Sequence, residues 1–244
     1  MNKGFSSGVA NRQAGMSSAM DAANFRELRE HLEAKGIHLS EGLAGMDFET
    51  VRALSARAER MVELFPGVKE AFRGIDAGEH GENAYAGARL SGVVGLSPEN
   101  IRSMPQLERD YERDVQRGFH PQGTDAASIM VHEMGHMLEA AMVRRAFPGS
   151  TPADERSRSA AWRNGDEAGR VVSRALSRVS PGWQDRPREA LDQIRRVSAY
   201  AAQDASETLA ECISDAYSNG RRARPLSRAV WEIVRSELSG RRAP

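Results

Sequence analysis

The sequence predicts an α+β protein that is mostly α-helical and carries one small β-sheet. Three observations lead there. Apolar residues recur at helical spacing in segments that open on capping residues and stop at Gly or Pro. One stretch, 83–96, drops that period for small and β-branched residues around a turn. One central segment is apolar on nearly every side, as a buried helix is.

The elements follow in order. Residues 1–20 are Gly, Ser, Ala, Asn and Met without a period, and read as a flexible arm ahead of a single domain at 21–244. Asp21 is placed to cap a first helix with Phe25, Leu28 and Leu32 on one face, ending at Gly36. A second helix starts near Asp47, carries Phe48, Val51, Leu54, Met61 and Phe65, and stops at Pro66-Gly67. The stretch 83–96 reads as a hairpin or paired strands turning at Ser91-Gly92. A helix after Pro98 runs to about Gln116, then a loop spans Gly118 to Gly123. Thr124 or Asp125 begins the central helix, which ends before Pro148-Gly149. Residues 148–165 read as a polar loop, followed by Arg-rich helices at 166–179 and 187–197. A helix over 204–218 stops at Asn219-Gly220, and the last runs from Pro225 to Leu238.

The chain has 244 residues, 40% hydrophobic and 28% charged, enough for one buried core. No apolar run reaches the roughly 18 residues of a membrane span. The start lacks the apolar stretch of a secretory signal, so a cytoplasmic location is expected. A lone cysteine, Cys212, excludes an internal disulfide and a cysteine-built zinc knuckle, so any metal must be held by His, Asp or Glu. Lys and Arg total 34, as do Asp and Glu. Residues 1–140 carry 15 basic and 21 acidic side chains and 141–244 carry 19 and 13, a modest polarity. The arginines are scattered rather than clustered with aromatics, so no nucleic-acid partner is predicted.

The central helix contains His132-Glu133-Met134-Gly135-His136. Histidines at i and i+4 share a helix face and reach one metal ion, while Glu133 lies beside it as a base for water. With 6 His and 22 Glu, chance produces this pattern in on the order of one in a hundred such chains. Glu133 is also the only acidic or basic side chain from Ala126 to Met137, apart from the histidines. A catalytic zinc takes three protein ligands and leaves a fourth position open. The third is expected from the 204–218 helix, where Glu207 and Glu211 are again i and i+4. One can ligate while the other hydrogen-bonds a ligating histidine. The plain alternative is an exposed acidic stripe, against which Leu209, Ala210 and Ile213 argue.

With Tyr200 seven positions before Glu207, and Glu207-Thr208-Leu209-Ala210-Glu211 after it, the chain resembles the zincins, zinc metallopeptidases of the Glu-ligand class. Within them it is similar to the lethal-factor-type group and to domains of phage minor head and head-morphogenesis proteins. Gly118-Phe119-His120-Pro121 and Ala84-Tyr85-Ala86 add weaker likeness, and the resemblance covers roughly 45–220, the implied catalytic core. It implies a zincin-like fold, Zn2+ as cofactor and hydrolysis of a protein or peptide substrate. Glu207 is then the third ligand beside His132 and His136, Glu211 the partner of a ligating histidine, and Tyr200 the donor to the developing oxyanion. A phage or prophage setting, phage head proteins as partners and a virion-associated location follow from the same likeness.

A competing register resembles the Asn-Glu-x-x-Ser-Asp of thermolysin-like enzymes. Ala210-Glu211-Cys212-Ile213-Ser214-Asp215 would make Glu211 the ligand and Asp215 its support. Ala210 in place of Asn, and the 75 positions from His136 to Glu211, count against it. In the favoured reading Glu133 takes the water proton and passes it to the leaving amine. Tyr200 stabilises the oxyanion by roughly 3 kcal/mol, and the strand near Ala84 to Leu90 pairs with an extended substrate. A non-catalytic phage structural module with zinc as a staple is the alternative. His120 reads as a loop anchor, His31, His38 and His80 as surface residues, and Tyr85 and Tyr217 as packing. Met130, Met134, Met137 and Met142 read as core filler and Cys212 as a small buried residue.

Overall fold

Side-chain caps decide where four of the nine described α-helices begin. In the computed structural model, which describes residues 17–78 and 84–239, α1 (Phe25–Ala34) opens at Asn24, whose side chain accepts from the Glu27 N–H. Asp21 was the expected cap. It instead closes a short 3-10 turn, Ala19–Asp21, in a reciprocal capping box with Ser18, and Asn24, directly before Phe25, takes the helix start. Of the expected arm, residues 1–16 lie outside the described residues, as do 79–83 and 240–244. Its last residues belong to the fold: Ala19 is buried and its N–H donates to Glu59 at 2.7 Å.

Helix α2 (Phe48–Leu64) starts at Asp47, which accepts from the Thr50 N–H, and ends at Phe65-Pro66, as the sequence predicts. Helix α3 (Met104–Gln116) starts later than Pro98, because 97–103 lead out of the sheet and bury Ile101. Helix α4 (Ser128–Ala146) opens where Asp125 accepts from the Ser128 N–H at 3.0 Å. Residues 148–165 are not a polar loop. A Thr151–Asp154 capping box and Pro152 in the first turn start α5 (Pro152–Asn164), and Gly165, with φ +65°, ends it. Only Ala161 of α5 is buried, so there was no apolar period for the sequence to display. Then come α6 (Asp166–Val179), α7 (Pro187–Arg195), α8 (Ala205–Asn219) and α9 (Pro225–Leu238).

The sheet comprises β1 (His38–Leu39), β2 (Gly74–Ala77), β3 (Ala86–Ala88) and β4 (Val93–Leu96) in the order β1-β2-β4-β3. Strands β3 and β4 form the expected hairpin, antiparallel with Ala86 opposite Leu96, turning through Gly92 at φ +98°. Strands β1 and β2, parallel to each other and to β4, were not foreseen, being too short to show a period. Strand β3 is one of the two sheet edges, paired on one side only among the described residues. The whole is a mostly helical α+β fold.

Helix α4 runs through the centre. Met130, Val131, Met134, Met137, Leu138 and Met142 are buried around it, against α8 and α2, and α8 packs in turn on α9 and α6. Cys212 is buried on α8. The core extends beyond 45–220, taking in Leu28 and Leu32 on one side and Val230, Ile233 and Val234 on the other. No helix among the described residues is long and apolar enough to cross a membrane.

Helices α4 and α8 pack closely at Gly135, where a β-carbon would meet the Ala210 Cα at 2.7 Å. Gly135→Ala therefore lowers unfolding free energy by about 1–3 kcal/mol. Gly169→Ala in α6 meets nothing nearer than 3.9 Å and stabilises by about 0.5–1 kcal/mol through helix propensity. Urea denaturation of both variants is the check.

Candidate metal centre

Helix α4 is buried on most sides, which commits its polar groups to one another. His132 and Glu133 are each 7% exposed and face the first turns of α8. Asp204 starts that helix by accepting from the Glu207 N–H at 2.9 Å, so Glu207 stands at its entrance and Glu211 one turn deeper. Tyr200 lies in the 3-10 turn just before α8. The Thr208 hydroxyl donates to the Ala201 carbonyl at 2.6 Å, and the Ala199 and Tyr200 N–H groups donate to Gly118 and Phe119. Tyr200 thus stacks with His132, ring centroids 5.5 Å apart, and with Phe119, centroids 4.8 Å apart.

Three donor atoms converge. Nε2 of His132 and Nε2 of His136 are 3.2 Å apart, and Oε2 of Glu207 lies 3.1 Å from the first and 3.6 Å from the second. Ligand atoms around a tetrahedral zinc, with bonds of about 2.0–2.1 Å, lie about 3.3 Å from one another. Glu207 Oε2 is buried and has no hydrogen-bond partner among the described residues, although Nε2 of His132 lies 3.1 Å away. An orphaned carboxylate oxygen beside two imidazole nitrogens, all within 4.8 Å of one another, is a donor set that could hold a metal ion.

Glu211 occupies the other side of the His132 ring. Its Oε1 accepts from Nδ1 of His132 at 2.8 Å and from Nδ1 of His120 at 3.3 Å. A carboxylate only accepts, so Nδ1 of His132 carries the proton and its Nε2 is left for a metal. The geometry thereby separates the two carboxylates, Glu207 in the triangle and Glu211 behind it. Asp215, the support in the competing register, is turned elsewhere: it accepts from Asn219 and from the Arg224 N–H, each at 2.8 Å.

The ionisations follow from this packing. Burial opposes charge on His132, yet Glu207 and Glu211 raise its pKa well above the ordinary histidine value. Burial would raise Glu207, but the two histidines hold it well below the usual carboxylate range. Glu211 is likewise held low, by His120 and His132 against burial. Tyr200 is pushed up by burial first and then by Glu207 and Glu133, so its hydroxyl keeps its proton.

Two cavities flank the triangle, and His132, Glu133, Tyr200 and Ala86 of the β3 edge border both. One, of about 310 Å³, is walled by Tyr85, Tyr111, Phe119 and His120. The other, of about 400 Å³, is polar and holds Glu139, Trp162, Arg163 and Asp204. A larger cavity of about 510 Å³ lies by α2, where Arg57 is taken up by Asp125 and Tyr217; it has no donor triad among the described residues.

Several side chains stand where the sequence reading did not put them. His120 does more than anchor a loop, since it reaches Glu211 and stacks on Tyr111 with centroids 4.7 Å apart. Trp162, near His136, lies on α5, whose polar composition carries no apolar period to mark it. Glu139 was discoverable, lying three residues past His136 on the same face. His31 is not a surface residue, as its ring is within 2.6 Å of buried Glu59; His38 is exposed, and His80 lies outside the described residues. Tyr217 bonds Arg57, and Tyr85 lines a cavity. No family model, no curated protein and no solved structure matches this chain.

Glu139 is 1% exposed, bonded by Ser206, and its pKa is pushed up to about 7 by burial against the pull of His136. The fold holds this proton more tightly than the unfolded chain does. Its contribution is therefore fully present below about pH 4.5 and is lost as pH rises through 7. Glu139→Gln gains on the wild type across that window, by about 3 kcal/mol at pH 8. Urea denaturation of the pair from pH 4.5 to 8 measures the difference.

Proposed function

We propose that the chain is a zinc-dependent endopeptidase, with His132, His136 and Glu207 holding the metal. The observation that carries this reading is the donor triangle with its unbonded Glu207 oxygen. When bound there, zinc supplies Lewis acidity, polarising a peptide carbonyl and lowering the pKa of water toward about 7. Glu133, between the two cavities, accepts the proton of the attacking water and returns it to the leaving amine. The Tyr200 hydroxyl donates to the oxyanion that develops on the scissile carbonyl. Glu211 keeps the His132 ring in one tautomer and one orientation. The open edge of β3 offers its backbone to an extended substrate lying across both cavities.

The cleft favours this reading over a zinc that only staples the fold. A structural zinc sits in a closed shell of four protein donors. Among the described residues three converge, and the cavities open beside them.

Elemental analysis finds about one zinc per wild-type chain and none in Glu207→Ala; Glu211→Ala binds it about 10–100-fold more weakly. Glu133→Gln keeps the metal and cleaves peptides about 10²–10⁴-fold more slowly. Folded wild type that takes up no zinc, or undiminished turnover by Glu133→Gln, overturns the proposal. His120→Phe preserves the stack on Tyr111 but loses the bond to Glu211, so zinc affinity falls about tenfold in competition with a chromophoric chelator, while His120→Gln retains more of it.

A further inference from the structure

The cavity on the aromatic side combines rings with one unanswered charge. Tyr85, Tyr111, Phe119 and Tyr200 wall it, and Asp114, one helical turn beyond Tyr111, borders it. Asp114 is half-buried and has no ion pair or side-chain hydrogen bond among the described residues. Its neighbours on α3 are committed, Asp110 to Arg113 and Gln106 and Glu112 to Gln116. No lysine or arginine of the described residues lines this cavity, whereas Arg163 lines the opposite one. Of the other ionisable groups that face it, Glu133 is acidic, His120 is turned to Glu211, and His132 is committed to Glu211 and Glu207.

We propose that this cavity takes the cationic side chain of a substrate arginine or lysine, with Asp114 as its counter-charge. The inference rests on the peptidase reading and names its substrate class. Aromatic faces carry negative potential and attract a cation, and a long aliphatic stem lies along such rings while its head reaches a carboxylate. A purely apolar occupant would strip water from Asp114 and return nothing, which costs free energy. The Tyr85 hydroxyl already senses this charge, its pKa raised by burial and further by Asp110 and Asp114, with Arg113 opposing them.

The test has a cleavage arm and a binding arm, both on the full chain loaded with zinc. A mixed peptide library is digested by wild type and by Asp114→Asn, and cleavage sites are read by mass spectrometry. Glu133→Gln, with and without Asp114→Asn, is titrated with paired peptides carrying arginine or norleucine at the same position. Wild type selects Arg or Lys at one position beside the scissile bond. Asp114→Asn lowers the arginine-to-norleucine ratio about tenfold in both arms. Cleavage that selects large apolar residues, with a ratio unmoved by Asp114→Asn, overturns the inference and leaves the peptidase reading standing. If no peptide is cleaved, the peptidase reading fails, and equal binding of both peptides by Glu133→Gln then overturns the inference separately.

Discussion

Helices α4 and α8 cross where Gly135 meets Ala210 at a separation that leaves no room for a β-carbon. That approach brings a histidine pair on one helix and a carboxylate pair on the other within reach of one another. Each helix alone presents two side chains at i and i+4, a pattern with no chemistry of its own. Had the helices been held apart by one more methyl group, the 3.1–3.6 Å separations of the donor triangle would widen. Residue Gly135, inside the His-Glu-x-x-His segment, is thus as necessary to the site as the residues that face it.

Burial sets the electrostatics of that contact. His132 and Glu211 are almost wholly removed from water, where an unpaired charge is expensive. The outcome is a chain of mutual partners: His120 to Glu211, Glu211 to His132, His132 against Glu207 and His136. The interactions that keep the carboxylates ionised also point Nε2 of both histidines to one spot. A proton or a cation can occupy that spot, and the proposed zinc competes for the place a proton would hold.

The surroundings divide the cleft by chemistry. Aromatic residues from α3, the 118–120 loop and the Tyr200 turn face one side. Polar groups from α4, α5 and the start of α8 face the other, and the edge of β3 runs along both. The backbone bonds tying the 118–119 carbonyls to Ala199 and Tyr200 make the two loops one unit, so the Tyr200 ring is held where His132 lies.

Much of this was legible in the sequence, because helices α2, α4, α6, α8 and α9 are written in local terms: caps, apolar period and stop signals. The i, i+4 spacing of His132 and His136, and of Glu207 and Glu211, likewise needs only helix geometry. Other features are not local. Strands β1 and β2 have two and four residues, and their pairing exists only because α1 and α2 bring them side by side. Helix α5 hides behind a polar composition, and Trp162 with it. Whether Glu207 or Glu211 faces the Nε2 atoms depends on the rotation of α8 against α4, which no periodicity specifies. The sequence by itself determined the helix that bears the histidines and the helix that bears the carboxylates. Tertiary structure alone decided which side of the His132 ring each carboxylate meets, and that His120 joins them, because those relations arise from packing between segments far apart in the chain.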